Sequence, residues 1–292
     1  MDAPCAITGL HFNDYRAIDA ANWSSIKLID ESPNTYRHHV DNPDDGDTAS
    51  RKRLRAEHGY VLEPSTFDDN FIMWPKRRAG NEYKAFEAEH TDKTILTAND
   101  YGEVLAMGRA VCQDDTARDL LTAPGAQPEV TLVWEDELTK ILCKARLDLW
   151  MPNGWGTSPR RAFADLKDFG SHVERHVNTL RRKQKTQGQM AHYHAGISAV
   201  FGEGPTDVYL ICPNNKGPRE VGVFLLSEEM MMVGYQLRNR CLERLAECRE
   251  SGVWPQRYDS VQLLEPEDYE MATIDNVEEF DLDEGEDDEF PY

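Results

Sequence analysis

The stretch RAFADLKDF, residues 161–169, sets an acid and an amine two positions apart inside an apolar run. Residues i and i+2 of a strand project to the same side, so Asp165 and Lys167 would face one pocket. An unpaired charge in a protein interior costs several kcal/mol, so a strand that keeps both charges implies a use for them. Asp148, near the end of the preceding run LTKILCKARLDLW, supplies a second carboxylate. Two carboxylates and a backbone carbonyl satisfy a hard divalent cation such as Mg²⁺, which prefers oxygen and keeps several waters. A lysine beside them can orient a nucleophile or stabilise a pentavalent phosphate. Together these groups fit phosphodiester hydrolysis, where a divalent cation neutralises developing charge and lowers the pKa of the attacking water. D-x-K alone is a common chance pattern on solvated edge strands, so the surrounding elements carry the weight.

Those elements can be read along the chain. WSSIKLIDESPNTYRHHV predicts a helix capped by Ser24 or Ser25, with a break or a second start at the Ser-Pro pair. DNPDDGD reads as a turn-rich loop, and RKRLRAEHGYVLEP as a helix that carries His58 and stops by Pro64. The region from Glu82 to Leu121 is helical by pattern, in YKAFEAEH and then ANDYGEVLAMGRAVCQDDTARDLL. After Pro124-Gly125 the texture changes to a hairpin, EVTLVW and LTKILCKARLDLW. In its second strand Ile141, Cys143, Ala145, Leu147 and Leu149 alternate onto one face, opposite Lys144, Arg146 and Asp148. AFADLKDF is the next strand. The helix QGQMAHYHAGISAVFG puts Gln189 and Tyr193 on one stripe, strands DVYLIC and EVGVFLL follow, and a long Ser-capped helix closes the fold. The expectation is a helical portion over 1–123, an α/β core over 124–264, and a disordered acidic tail over 265–292.

The order His58, Glu129, Asp148, Asp165-x-Lys167, Gln189-x-x-x-Tyr193 resembles the PD-(D/E)XK nuclease superfamily. In particular it is similar to the nuclease domain of the RecE-type exonuclease (exonuclease VIII), a relative of lambda-type and RecB-type nucleases. EHGYVLEP, CKARLD and LAECRESGVWP resemble further segments of that family, so the likeness spans roughly Gly9 to Tyr258. It implies a restriction-endonuclease-like core: a mixed central sheet flanked by helices. It also implies metal binding by His58, Asp148 and Asp165 with the Leu166 carbonyl, and Lys167 as the catalytic lysine. Gln189 and Tyr193 would lie beside the DNA end. Glu129 is either a second-metal ligand or merely the start of a strand. The cofactor implied is Mg²⁺, with Mn²⁺ able to substitute. The activity implied is 5′→3′ resection of linear duplex to 3′ single-stranded tails by a ring-shaped trimer or tetramer working with a single-strand annealing protein, as in phage recombination. Two features depart from the family: Arg-Ala-Glu stands before His58 in place of a small glycine-containing turn, and the loop after Met151 is long, putting Arg160 and Arg161 near the site. The alternative is an inactive acidic decoy that occupies host repair proteins, for which Asp148, Asp165 and Lys167 would be needless together.

Charge does not exclude a DNA partner. The net charge is −21, but residues 265–292 hold 14 acidic residues and no Lys or Arg, so the remainder carries 39 acids against 32 bases. No Asp or Glu occurs from Arg175 to Phe201, and Arg175, Arg181, Arg182, Lys183 and Lys185 form a basic segment suited to phosphate contacts. The end of the chain, DEGEDDEFPY, resembles the C-terminal tip of bacterial single-stranded-DNA-binding proteins. Phe290, Pro291 and Tyr292 would dock on a host repair factor or the annealing partner, with the acids steering approach. The six cysteines lack CxxC spacing, which argues against zinc or an iron–sulfur cluster and for free thiols in a reducing cytoplasm, that of the bacterial host if the protein is phage-encoded. No apolar run reaches membrane-spanning length, and the first residues lack the pattern of a secretory signal.

Overall fold

The computed structural model describes residues 3–43, 46–167, 185–204, 206–214 and 217–265. Eight strands are present among them: β1 (Cys5–Ile7), β2 (Phe71–Trp74), β3 (Thr94–Thr97), β4 (Gln127–Glu135), β5 (Leu142–Met151), β6 (Arg161–Leu166), β7 (Thr206–Pro213) and β8 (Val221–Leu225). The described helices are α1 (Phe12–Ala17), α2 (Trp23–Ile26), α3 (Pro33–Asp41), α4 (Ala49–Leu62), α5 (Phe67–Asn70), α6 (Gly80–Glu89), α7 (Ala98–Gln113), α8 (Asp115–Leu121), α9 (Thr186–Phe201) and α10 (Glu228–Ser251). These elements lie in a compact unit, Met1–Gln256; Arg257–Tyr292 form a second unit, in which Val261, Leu263 and Leu264 are exposed.

The hairpin β4–β5 seeds a six-stranded sheet of order β1-β4-β5-β6-β7-β8. All its pairings are antiparallel except β6 with β7, which run parallel because α9 lies between them in the chain. Helices cover both faces, so both are apolar and the core divides in two. One half gathers Val130, Leu132, Trp134, Cys143, Leu147 and Phe163 under Met190 and Ile197 of α9 and Leu237 and Leu242 of α10. The other gathers Leu149, Met151, Ala162, Ala164 and Leu166 against Val61 of α4, Met107 of α7 and Leu120 of α8. This is the mixed sheet flanked by helices that the sequence implies.

One alternation is corrected. Cys143, Ala145 and Leu147 face the first core, but Leu149 and Met151 face the second, so β5 turns over at Asp148. Opposite it, between the pairs Pro128↔Leu149 and Val130↔Leu147, stands Glu129 with φ 54°. Left-handed backbone costs a non-glycine residue roughly 1–2 kcal/mol and collects where function requires it. A period-two reading has no signal for such a reversal.

Local chemistry sets the element ends. Ser32 accepts from the Thr35 N–H with Pro33 as the first residue of α3, and Ser227 caps α10. The cap of α2 is Asn22, which accepts from the Ser25 N–H, not Ser24 or Ser25. Between the helical segments of 82–121 lies the four-residue β3, which pairs in parallel with β2. Met231 packs on the core while Met232 is exposed. Arg160 pairs with Asp207, and Arg161 binds Thr206 and the carbonyls of Gly202 and Gly204. Both sit at the start of β6, the end opposite Lys167, so the long loop does not bring them to the site.

Helices α9 and α10 meet closely at Gly234, where a Cβ would lie 2.2 Å from the Gln187 carbonyl oxygen. Backbone cannot step aside as a side chain can. Gly234→Ala is therefore expected to destabilise the fold by about 1–3 kcal/mol in urea unfolding.

Candidate active site

The site lies where β5 and β6 part. Their ladder ends at Leu149↔Ala164, so the next opposed positions are Asp148 and Asp165. There the Asp148 side chain replaces the missing strand bond: its Oδ2 accepts the Leu166 N–H at 2.7 Å. With Glu129 opposite Asp148 on β4, three carboxylates occupy successive places across three adjacent strands. Sharing one neighbourhood raises the cost of ionising them. Burial first, then the charge of Asp165, pushes the Asp148 carboxyl up to about 8. Burial and the charge of Asp148 likewise push Glu129 up, against the pull of Arg146 and His58.

His58 reaches this row from α4, with Nδ1 3.7 Å from Asp148 Oδ2. One ligand atom each from His58, Glu129 and Asp148 lies within 4.8 Å of the others. These three form the metal-competent group among the described residues, so the structure promotes Glu129, whose role the sequence leaves open. Asp165 stands beside the group, its oxygens turned elsewhere. Its Oδ2 is 2.5 Å from Lys167 Nζ, and its Oδ1 accepts from Gln189 Nε2 at 3.3 Å. Gln189 Oε1 accepts from Lys167 Nζ at 3.1 Å, and Nε2 also donates to the Tyr193 hydroxyl at 2.8 Å. Gln189 and Tyr193 share a face of α9 at i and i+4, as the stripe predicts. Burial alone would lower the Lys167 pKa, but Asp165 and Asp148 more than offset it, and the net shift is upward. The amine is held as ammonium.

Sequence reasoning missed two supports. Arg146 pairs with Glu129 and donates to the Leu10 carbonyl, while Lys144, buried, donates to the carbonyls of Tyr15, Arg16 and Ile18. Together they clamp the N-terminal segment over β5. Their place two and four residues before Asp148 was the available signal. That segment brings Tyr15 to a cleft of roughly 90 Å³, shared with Trp23, Lys27, Gln189 and Tyr193. Burial and then the Lys167 charge lower the Lys27 pKa.

Of the basic segment, Arg175, Arg181, Arg182 and Lys183 lie outside the described residues, as do Phe290, Pro291 and Tyr292. Lys185 is 2.5 Å from Asp30 Oδ2 and opens α9 with φ 54°, so it anchors that helix, and a phosphate would have to compete with Asp30. All six cysteines are free, and no described helix is long and apolar enough to cross a membrane.

Comparison with known proteins accords with this fold. Residues 24–266 match the family described as "PDDEXK-like domain of unknown function (DUF3799)". No curated protein matches the chain. The fold is similar to the crystal structure of a Eubacterium rectale protein described as a "putative exonuclease", at TM-score 0.60 and 11% identity, over 91% of this chain and 99% of that one.

Proposed function

The chain belongs to the PDDEXK-like family, and from that premise we propose that it is a divalent-metal-dependent nuclease acting on the ends of double-stranded DNA. The carrying observation is the row Glu129, Asp148 and Asp165 across three strands, with His58 and Lys167 set against it. A hard cation fits there. The donors are one imidazole and carboxylate oxygens, and the Asp148 carboxyl, pushed up by burial and then by the charge of Asp165, has an ionised form that a cation would favour. His58, Glu129 and Asp148 would hold it, with Asp165 and the Leu166 carbonyl at its edge. When bound, the cation supplies charge neutralisation for the phosphate and a lowered pKa for the attacking water. Lys167 presents a fixed ammonium where charge develops on the phosphate. Gln189, braced by Tyr193, holds both members of the Lys167–Asp165 pair in register.

The finer reading is a Mg²⁺-dependent exonuclease that resects 5′→3′ and leaves 3′ tails. It is supported by the motif resemblance to RecE-type enzymes and by the exonuclease description of the structural neighbour. On this reading the protein works in a bacterial cytoplasm as a trimeric or tetrameric ring, supplies an annealing protein, and uses Phe290-Pro291-Tyr292 to recruit a partner. The test is linear duplex labelled at either 5′ or 3′ ends, with and without Mg²⁺. Release of 5′ label first, only with Mg²⁺, is the expected result. An intact duplex under both conditions refutes the nuclease, and 3′ release refutes the polarity.

A further inference from the structure

We propose that Arg51 and Arg55 of α4 grip the phosphates of duplex DNA leading to the site, and that Asp47 holds the place of Arg55 when DNA is absent. The inference rests on the nuclease reading. Residues 51, 55 and 58 are spaced i, i+4, i+7, which puts both arginines on the helix face of His58. At 1.5 Å rise per residue they stand roughly 5 and 10 Å from it along the axis. Exposure increases in the same direction: Leu62 is buried, His58 and Arg55 are half-buried, and Arg51 is exposed. This face therefore runs outward from the metal-competent group. Phosphates of one DNA strand advance about 3.4 Å each along the duplex, so a strand laid beside α4 would set phosphates at both positions.

What Arg55 now binds is shaped like a phosphate, while Arg51 is held by a backbone carbonyl. Arg55 makes a two-pronged pair with Asp47, Nη1 to Oδ1 at 2.7 Å and Nη2 to Oδ2 at 2.8 Å. Lys52 Nζ lies 3.9 Å from the same carboxylate, and Arg51 Nη1 donates to the Gly46 carbonyl at 2.6 Å. A guanidinium fork accepts carboxylate or phosphate with one geometry. Hydrogen bonding from Arg55 holds the Asp47 carboxyl below its usual range. The pair is 32% and 42% exposed, and a pair so solvated contributes little to stability, so phosphate can displace the carboxylate. Among the described residues, three other cations near the site are committed inside the fold: Lys144 to three carbonyls, Arg146 to Glu129 and Lys185 to Asp30. Arg53 is turned to the buried Glu57 and takes no part.

The pair allows a test by opposite signs. Binding of duplex DNA is measured against KCl concentration, with Ca²⁺ in place of Mg²⁺, for wild type, Asp47→Asn and the double variant Arg51→Gln/Arg55→Gln. Mg²⁺-dependent cleavage by wild type is followed in parallel. The double variant should lose about 2 from the slope of log K on log salt, one phosphate contact for each arginine. Asp47→Asn, which breaks the same ion pair, should bind DNA more tightly. A double variant with the wild-type slope, or Asp47→Asn weakening binding as the arginine changes do, overturns the inference. If wild type still cleaves in those cases, the nuclease reading stands; a wild type that does not cleave removes both.

Discussion

Lys167→Ala is expected to lower cleavage of linear duplex by on the order of 10³-fold, the scale on which a fixed donor at a developing anion acts. The structure adds a consequence that the sequence alone does not carry. From D-x-K one expects the variant to fold almost as wild type, but Lys167 and Asp165 form an ion pair with side chains only 17% and 2% exposed. Removing the ammonium strands a buried carboxylate, which typically costs about 3–5 kcal/mol. Lost activity would therefore mix chemistry with loss of fold. The double variant Lys167→Met/Asp165→Asn separates them, because it removes both charges and keeps the volume. Its unfolding midpoint should return toward that of wild type while cleavage stays at the background of Lys167→Ala. Cleavage that recovers along with stability would show that Lys167 only holds the strand ends together.

That pair also marks the limit of what could be read from residues in a row. The i, i+2 spacing of Asp165 and Lys167, the Gln189–Tyr193 face and the Ser227 cap are local, and they were legible. The hairpin was legible too, since the alternation from Ile141 to Leu147 and the turn before it outweigh any competing pattern. What escaped depends on partners far away in sequence. β2 and β3 are four residues each, too short to display a period, and they exist because they pair with one another. Glu129 could be read as a second-metal ligand or as the start of a strand, and only a left-handed backbone there, with α4 packed near β5, brings it to His58 and Asp148. Lys185 belonged by composition to a DNA-binding run, but Asp30, 155 positions away, holds its amine. A charge seen in sequence is available only if the fold has not already paired it.

Asp148→Asn is expected to abolish cleavage and yet to make the metal-free protein more stable at neutral pH. The carboxyl titrates near 8 in the fold, raised by burial and Asp165 from an ordinary value of 3.8. Between those two values the native state holds a proton that the unfolded chain has released. Stability therefore falls as pH rises through this window, by the linkage of proton uptake to folding. Asparagine cannot ionise, and its carbonyl can still accept the Leu166 N–H, so the variant should escape the decline. The gain at pH 7 should be on the order of 1–3 kcal/mol, the scale on which replacing buried charge with neutral groups stabilises. Divalent metal should reverse the ranking. With Mg²⁺ the wild type gains stability, because binding a cation to Asp148 favours the ionised form that burial disfavours, while the variant gains little. Thermal unfolding of both proteins from pH 4 to pH 9, with EDTA and with Mg²⁺, reads all of this at once. Parallel curves in EDTA would mean that Asp148 carries no such strain. An equal Mg²⁺ shift in both proteins would place the cation away from the row of acids, and the catalytic assignment would fall with it.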